Sequence, residues 1–182
     1  MEKVYVFLAD GCEEIEALTP VDLLRRAEIP VVTVSIMGRK EITGAHGIQI
    51  QADALFEEES FGDGTVFVCP GGMPGTAHLS ACEPLMALLE KKQREGCRLA
   101  AICAAPALVL GQHGFLKDKK AICYPGMEAQ LNCGEVVRKP VVTDGQITTS
   151  RGVGTAIEFA LELIRLIQGA DSAENIADQI VY

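Results

Sequence analysis

The sequence has no run of lysine or arginine longer than two, and its 25 acidic against 16 basic residues leave a net charge of −9. A nucleic-acid binder normally carries the opposite sign on at least one face, so specific nucleic-acid binding is not expected. No long hydrophobic run is present either. The longest stretch free of charged or strongly polar side chains runs from Leu99 to Gly111 and contains Pro106. That is far short of the roughly 18 apolar residues a membrane span requires. Met1-Glu2-Lys3 leads straight into an apolar strand-like segment, which is not the pattern of a secretory signal. No CxxC pair occurs, and no histidine stands at metal-ligand spacing from a cysteine, which argues against zinc. Internal repeats, linkers and low-complexity segments are also lacking. The expectation is a single soluble domain over residues 1–182, in the cytoplasm.

Seven cysteines, an odd number scattered through apolar segments, do not form the pattern of a disulfide framework. Most read as small buried hydrophobes, the common fate of a free thiol. The apolar fraction of 48% is enough to build a full core. It is laid out as strands alternating with helices. Val4–Ala9, Val31–Ile36, Thr65–Cys69, Arg98–Ile102, Ala121–Tyr124, Val141–Thr143 and Gln146–Thr149 read as strands. Ile42–Gln51, around Gly44 and Gly47, reads as a hairpin or edge excursion. Helices are expected from Thr19 as N-cap with Pro20 at the first position, and over Glu83–Glu95, Ala104–Leu110 and residues 155–168. Continuous apolar strands between helices predict a mostly parallel sheet with helices on both faces. In such a fold ligands bind outside the carboxyl ends of the strands.

Three features fall at those ends. In Ala100-Ala101-Ile102-Cys103-Ala104-Ala105-Pro106 a thiol sits at a strand-to-helix turn, flanked by residues small enough for backbones that crowd there. Backbone N–H groups at the following helix start are expected to favour its thiolate and lower its pKa. The alternative is an inert cysteine buried in an alanine-rich turn. Glu13-Glu14-Ile15-Glu16 follows the first strand; at least one of its carboxylates is expected to be solvated. Glu16, where the segment enters a buried helix, is the candidate for a desolvated, protonated carboxyl. Pro70-Gly71-Gly72 allows a backbone N–H to approach a ligand as an oxyanion donor, or is an ordinary glycine-rich turn.

Other segments carry less. Arg151-Gly152-Val153-Gly154 resembles part of a dinucleotide loop, but Ile157 stands where a third small residue belongs. His46, His78 and His113 read as isolated, with helix capping the expected role of His113.

Gly11-x-Glu13-Glu14-x-Glu16, Pro70-Gly71-Gly72, Ala101-Ile102-Cys103-Ala104-Ala105-Pro106 and Thr149-Ser150-Arg151-Gly152-x-Gly154-Thr155, taken in this order, resemble the ThiJ/PfpI superfamily. The similarity covers nearly the whole chain and is strongest to the subgroup of the human parkinsonism-associated deglycase and bacterial YajL. It implies a flavodoxin-like three-layer α/β sandwich that forms a homodimer. It also implies a reactive, oxidisable cysteine at Cys103, a protonated glutamate at Glu16, and backbone N–H groups of Gly72 and Ala104 in one pocket with Gly71. Tyr124 stands where the human protein has a pocket histidine, so a relay through that position is absent. The peptidase branch has histidine directly after its nucleophile; Ala104 at that place argues against a protease. The implied activity is cofactor- and metal-free conversion of 2-oxoaldehydes such as methylglyoxal and glyoxal, or removal of their early glycation adducts. The alternative is an oxidative-stress sensor or chaperone-like protein with little turnover.

Overall fold

The computed structural model describes residues 2–182. Along the chain the strands are β1 (Lys3–Leu8), β2 (Val31–Ser35), β3 (Glu41–Thr43), β4 (Gln49–Gln51), β5 (Ala54–Leu55), β6 (Gly64–Cys69), β7 (Arg98–Ile102), β8 (Lys120–Ala121), β9 (Glu135–Val136), β10 (Val141–Asp144) and β11 (Ile147–Ser150). The helices are α1 (Glu14–Arg26), α2 (Gly75–Ala81), α3 (Glu83–Arg94), α4 (Ala156–Gln168) and α5 (Ala170–Gln179), with a wider helical segment at Pro106–Gly111. Seven strands form one sheet in the order β10-β11-β7-β6-β1-β2-β5, and β3 pairs with β4 as a hairpin, the first of the two expectations for Ile42–Gln51. Every neighbouring pair in the large sheet is parallel except β10–β11.

Strand β1 shows why its sequence is apolar without alternation. Val4, Val6 and Leu8 pack on one side with Ala17 and Leu24 of α1 and Phe159 and Leu163 of α4. Tyr5 and Phe7, with Ala9 just past the strand end, pack on the other with Leu79 of α2, Leu85 and Leu89 of α3, and Val109. The strand is buried on both faces, as a central parallel strand must be. The result is the expected flavodoxin-like α/β sandwich. The few aromatic residues are concentrated on the second face, where Tyr5, Phe7, Phe56, Phe61 and Phe67 form a chain of ring contacts from 4.9 to 6.3 Å between centroids.

Several element boundaries differ from the sequence reading. Helix α1 starts at Glu14 rather than after Thr19, because the Glu13 carboxylate caps it by accepting the Glu16 N–H at 2.7 Å. Pro20 therefore lies inside the helix. The segment after Ala121 leaves the strand conformation expected up to Tyr124. Its N–H groups find other acceptors: Ile122 donates to Thr149 Oγ1 at 3.0 Å and Tyr124 to the Cys103 carbonyl at 2.8 Å. The helical segment expected from Ala104 begins at Pro106. Helix α5 escapes sequence reading because only Ala173 and Ile176 of its ten residues are buried. From β1 the chain builds outward to β2 and β5, then returns to β6 on the other side of β1. The crevice outside the carboxyl ends of β1 and β6 is the place this topology leaves for a ligand.

Candidate active site

Three turns at those carboxyl ends meet. The turn after β7 carries Cys103 at φ +66°, a left-handed conformation that is uncommon for a residue with a side chain. It is held there by two main-chain bonds: the Cys103 N–H donates to the Ser150 carbonyl at 3.0 Å, and its own carbonyl accepts from Tyr124. The neighbours Ala101, Ala104 and Ala105 are buried, so the crowding foreseen from their small size is present. The turn after β6 supplies Gly71 and Gly72. A Cβ on Gly71 would lie 2.6 Å from Cys103 Cβ and overlap the Glu16 carboxyl; only glycine fits between them. Gly72 has φ +89°, and a Cβ there would meet the backbone of Gly11 and Cys12.

The turn after β1 delivers Glu16. Glu13 donates its N–H to the Gly71 carbonyl at 2.9 Å, and the Gly71 N–H donates to Glu16 Oε2 at 3.0 Å. These two bonds lock the start of α1 to the end of β6. Glu16 is fully buried, and its Oε1 has no hydrogen-bond partner among the described residues. An orphan carboxylate oxygen in the interior is costly unless it carries a proton or meets a ligand.

Burial raises the Glu16 carboxyl to about 7, against the opposing pull of the Cys103 thiol and of the Gly71 and Val153 N–H groups. Cys103 is pushed up to about 12, first by burial and then by the charge and acceptor oxygen of Glu16. The expected lowering of the thiol is thus reversed. The N–H groups of Ala104 and Gly72 do act in the expected direction, but burial and Glu16 outweigh them. The two groups share a proton economy. When Glu16 is neutral, its charge no longer opposes the thiolate and its O–H can donate to sulfur. The thiols of Cys69, Cys12 and Cys123 are also raised, chiefly by burial, which no proton on a neighbour relieves.

Beside the pair, Gly72, Met73, Cys103, Ala104, Tyr124, Pro125 and Met127 line a cavity of about 440 Å³, with the half-exposed Tyr124 among its walls. The model of the DJ-1/PfpI family matches residues 2–166. The chain belongs to the DJ-1/PfpI family. It is 37% identical to Protein DJ-1 homolog B of Arabidopsis thaliana over 99% of this chain, and spans 41% of that relative's length. Identity to Protein dj-1beta of Drosophila melanogaster is also 37%, covering 94% of this chain and 92% of the fly protein. The Caenorhabditis elegans protein named glutathione-independent glyoxalase DJR-1.2 is 27% identical over 92% of this chain and 89% of its own. Among solved structures, oxidized Toxoplasma gondii DJ-1 superimposes with a TM-score of 0.97 at 36% identity, covering 100% of this chain and 99% of that one.

This DJ-1/PfpI chain brings together every residue singled out for the site: Cys103, Glu16, Gly71, Gly72, Ala104 and Tyr124. The acidic run corrects one expectation. Glu13, Glu14 and Glu16 are all buried, and the exposed residue among them is Ile15. His46 corrects another. It is not isolated, since its Nδ1 lies 2.8 Å from Glu14 Oε2 and 3.8 Å from Glu13 Oε1. Ligand atoms of these three residues lie within 4.8 Å of one another, but the imidazole and Glu14 already satisfy each other there. His113 contacts Ser80 Oγ at 3.0 Å instead of capping a helix end. Met73, Met127 and Gly152 were not foreseen at the site. A Cβ on Gly152 would lie 3.5 Å from the Tyr124 ring and 3.7 Å from Glu16 Oε1, which places this glycine against both. Its glycine-rich surroundings were visible in sequence; their nearness to Glu16 depends on β11 lying beside β7. Among the described residues no helix is long and apolar enough to cross a membrane.

Proposed function

We propose that this chain converts 2-oxoaldehydes such as methylglyoxal and glyoxal to 2-hydroxy acids, without glutathione, cofactor or metal. The observation that carries the reading is the fully buried Glu16 carboxyl, with one unpartnered oxygen, beside the Cys103 thiol. The glyoxalase name borne by the Caenorhabditis elegans relative supports the same class of chemistry.

The Cys103 sulfur adds to the aldehyde carbon; its proton passes to the Glu16 carboxylate and from there to the former carbonyl oxygen, giving a hemithioacetal and leaving Glu16 a carboxylate again. N–H groups of Gly72 and Ala104, which face the sulfur, stand where the developing oxyanion needs donors. Such a donor is typically worth about 3 kcal/mol of barrier. Glu16, as carboxylate, removes the hydrogen on the former aldehyde carbon, and the electron pair moves into an enediolate whose charge rests on the neighbouring oxygen. The same carboxyl returns that proton to the neighbouring carbon, while the hydroxyl proton of the first carbon passes to the oxygen of the second. One carbon is oxidised and the other reduced within the substrate, leaving a thioester of the 2-hydroxy acid. Water cleaves the thioester, releasing lactate from methylglyoxal or glycolate from glyoxal and restoring the thiol. A carboxyl near pH 7 in its titration can serve in both directions. Early glycation adducts in equilibrium with the free aldehyde would be depleted by the same turnover. Lactate formation from methylglyoxal by the wild type, lost in Cys103→Ala, is the test; equal activity in the two proteins would refute the assignment.

A second reading is a cysteine-based oxidative sensor. It is favoured by the setting of Cys103, which is half-buried like Cys82, Cys97 and Cys133 but opens onto the cavity with the Glu16 carboxyl against it. The solved Toxoplasma gondii relative is itself an oxidized form.

A further inference from the structure

We propose that His46 is a positioning residue for the Cys103–Glu16 pair, acting through Glu14 on the first turn of α1. The inference rests on the catalytic reading of that pair. His46 lies in the β3–β4 hairpin loop, outside the thiol cavity. It grips Glu14 twice: its backbone N–H donates to Oε1 at 2.7 Å, and its Nδ1 lies 2.8 Å from Oε2.

The hairpin is fastened to the same turn at two further points. Ala45 donates its N–H to the Cys12 carbonyl at 2.8 Å, and Gly11 donates to the Thr43 carbonyl at 2.8 Å. Gly44 is packed so closely that any Cβ would overlap the Glu14 carboxyl group. Glu14 is 4% exposed, and a buried carboxylate needs a donor or cation to remain in place. Among the described residues its side-chain hydrogen bonds are those to His46 of the hairpin. The adjacent Glu13 caps the Glu16 N–H and is bonded to Gly71. A shift of Glu14 therefore moves the turn that aims Glu16 at sulfur.

The titratable groups facing the imidazole are Glu14 of α1 and Glu13, its N-cap. Glu14 raises the His46 pKa, and His46 lowers that of Glu14, although burial opposes the latter. The ionic part of the grip is present below the raised pKa of His46 and fades as pH rises through it.

The test compares wild type, His46→Ala and His46→Gln in methylglyoxal kinetics, thermal unfolding, and the pH profile of Cys103 alkylation by iodoacetamide. For His46→Ala at pH 6, kcat is expected to fall about fivefold with KM within twofold, at unchanged melting temperature and elution volume. Its Cys103 alkylation profile should be displaced from wild type, with the difference narrowing at higher pH. His46→Gln, whose amide can donate to Glu14, should recover at least half of the loss on a logarithmic scale. Wild-type kinetics and alkylation in His46→Ala would overturn the proposal. So would equal impairment of both variants with a lowered melting temperature, which is the mark of a merely structural contact. Should the wild type fail to turn over methylglyoxal, the glyoxalase reading falls, while the alkylation profiles still decide the role of His46.

Discussion

Gly71 donates its N–H to Glu16 Oε2 at 3.0 Å across 55 positions of sequence, holding the carboxyl in the crevice between the ends of β1 and β6. The same glycine separates Glu16 from Cys103 and leaves no room for a methyl group. Its two functions, donor and spacer, make the position as exacting as the catalytic side chains themselves.

Gly71→Ala should therefore impair the site from the backbone. The added methyl must displace either the Glu16 carboxyl or Cys103 Cβ, because both lie within its contact distance. The expected outcome is a loss of turnover of about 100-fold, the scale of a misplaced catalytic group. A lactate assay beside a melting curve checks it; full activity in this variant would show that the spacing is not needed.

Glu16→Gln should lower kcat by about 100-fold or more, the usual contribution of a general acid–base group. The amide can keep the Gly71 N–H bond through its oxygen, so circular dichroism should remain that of wild type. Full turnover in this variant would rule out proton transfer by Glu16.

Stability should depend on pH through the same residue. Glu16 titrates at about 7 in the folded protein, raised by burial from the usual 4.5. The folded state thus prefers the protonated form, and its contribution is complete below 4.5 and lost as pH rises through about 7. A rise of that size corresponds to about 3 kcal/mol. Urea unfolding of wild type and Glu16→Gln between pH 5 and 9 should show the glutamine variant gaining relative stability as pH increases. A constant difference across the range would contradict the raised value.

Dilute peroxide should modify Cys103 before Cys12, Cys69 and Cys123. Cys12, Cys69 and Cys123 are buried, whereas Cys103 opens onto the cavity and can gain a hydrogen bond from neutral Glu16. Peptide mass spectrometry over a time course reads the order directly. Early modification of Cys12 or Cys69 would count against the assignment.

The homodimer implied by the family resemblance has a candidate surface. Ile15, Leu18, Ile48 and Ile157 are exposed along a groove of about 640 Å³ beside α1. Light scattering should give twice the chain mass of 19.5 kDa. Leu18→Glu should weaken association at least tenfold, about 1.4 kcal/mol, by placing a charge in an apolar contact. An unchanged dimer in that variant would locate the interface elsewhere.

The fold was legible where local pattern and burial agree. Arg98–Ile102 and the strands around it are apolar on both faces because the sheet is covered on both sides, and that pattern survives in one dimension. Cys103, Glu16 and Gly71 could each be placed at a strand end, since alternation of strands and helices dictates where the turns fall. Their contact depends on sheet order, which puts β6 between β1 and β7. What sequence hid was electrostatic and long-range. Burial of three neighbouring carboxylates cannot be read from Glu13-Glu14-Ile15-Glu16, because it requires Gly71 and His46 to arrive from other turns. The start of α1 was misplaced for a related reason: Thr19-Pro20 has the composition of a helix start, but the Glu13 cap comes earlier and the buried face of the helix carries the proline along.

The chain has no tryptophan, and its three tyrosines occupy dissimilar settings. Tyr5 is stacked in the aromatic cluster with its hydroxyl bonded to Glu59 and Asp63, Tyr182 lies at the exposed chain end, and Tyr124 faces the cavity that contains Cys103. Ultraviolet emission is therefore left to phenol rings, and one of them stands within reach of whatever enters the pocket. Occupancy of the site becomes an optical signal that needs no attached dye, with Tyr124→Phe as its blank.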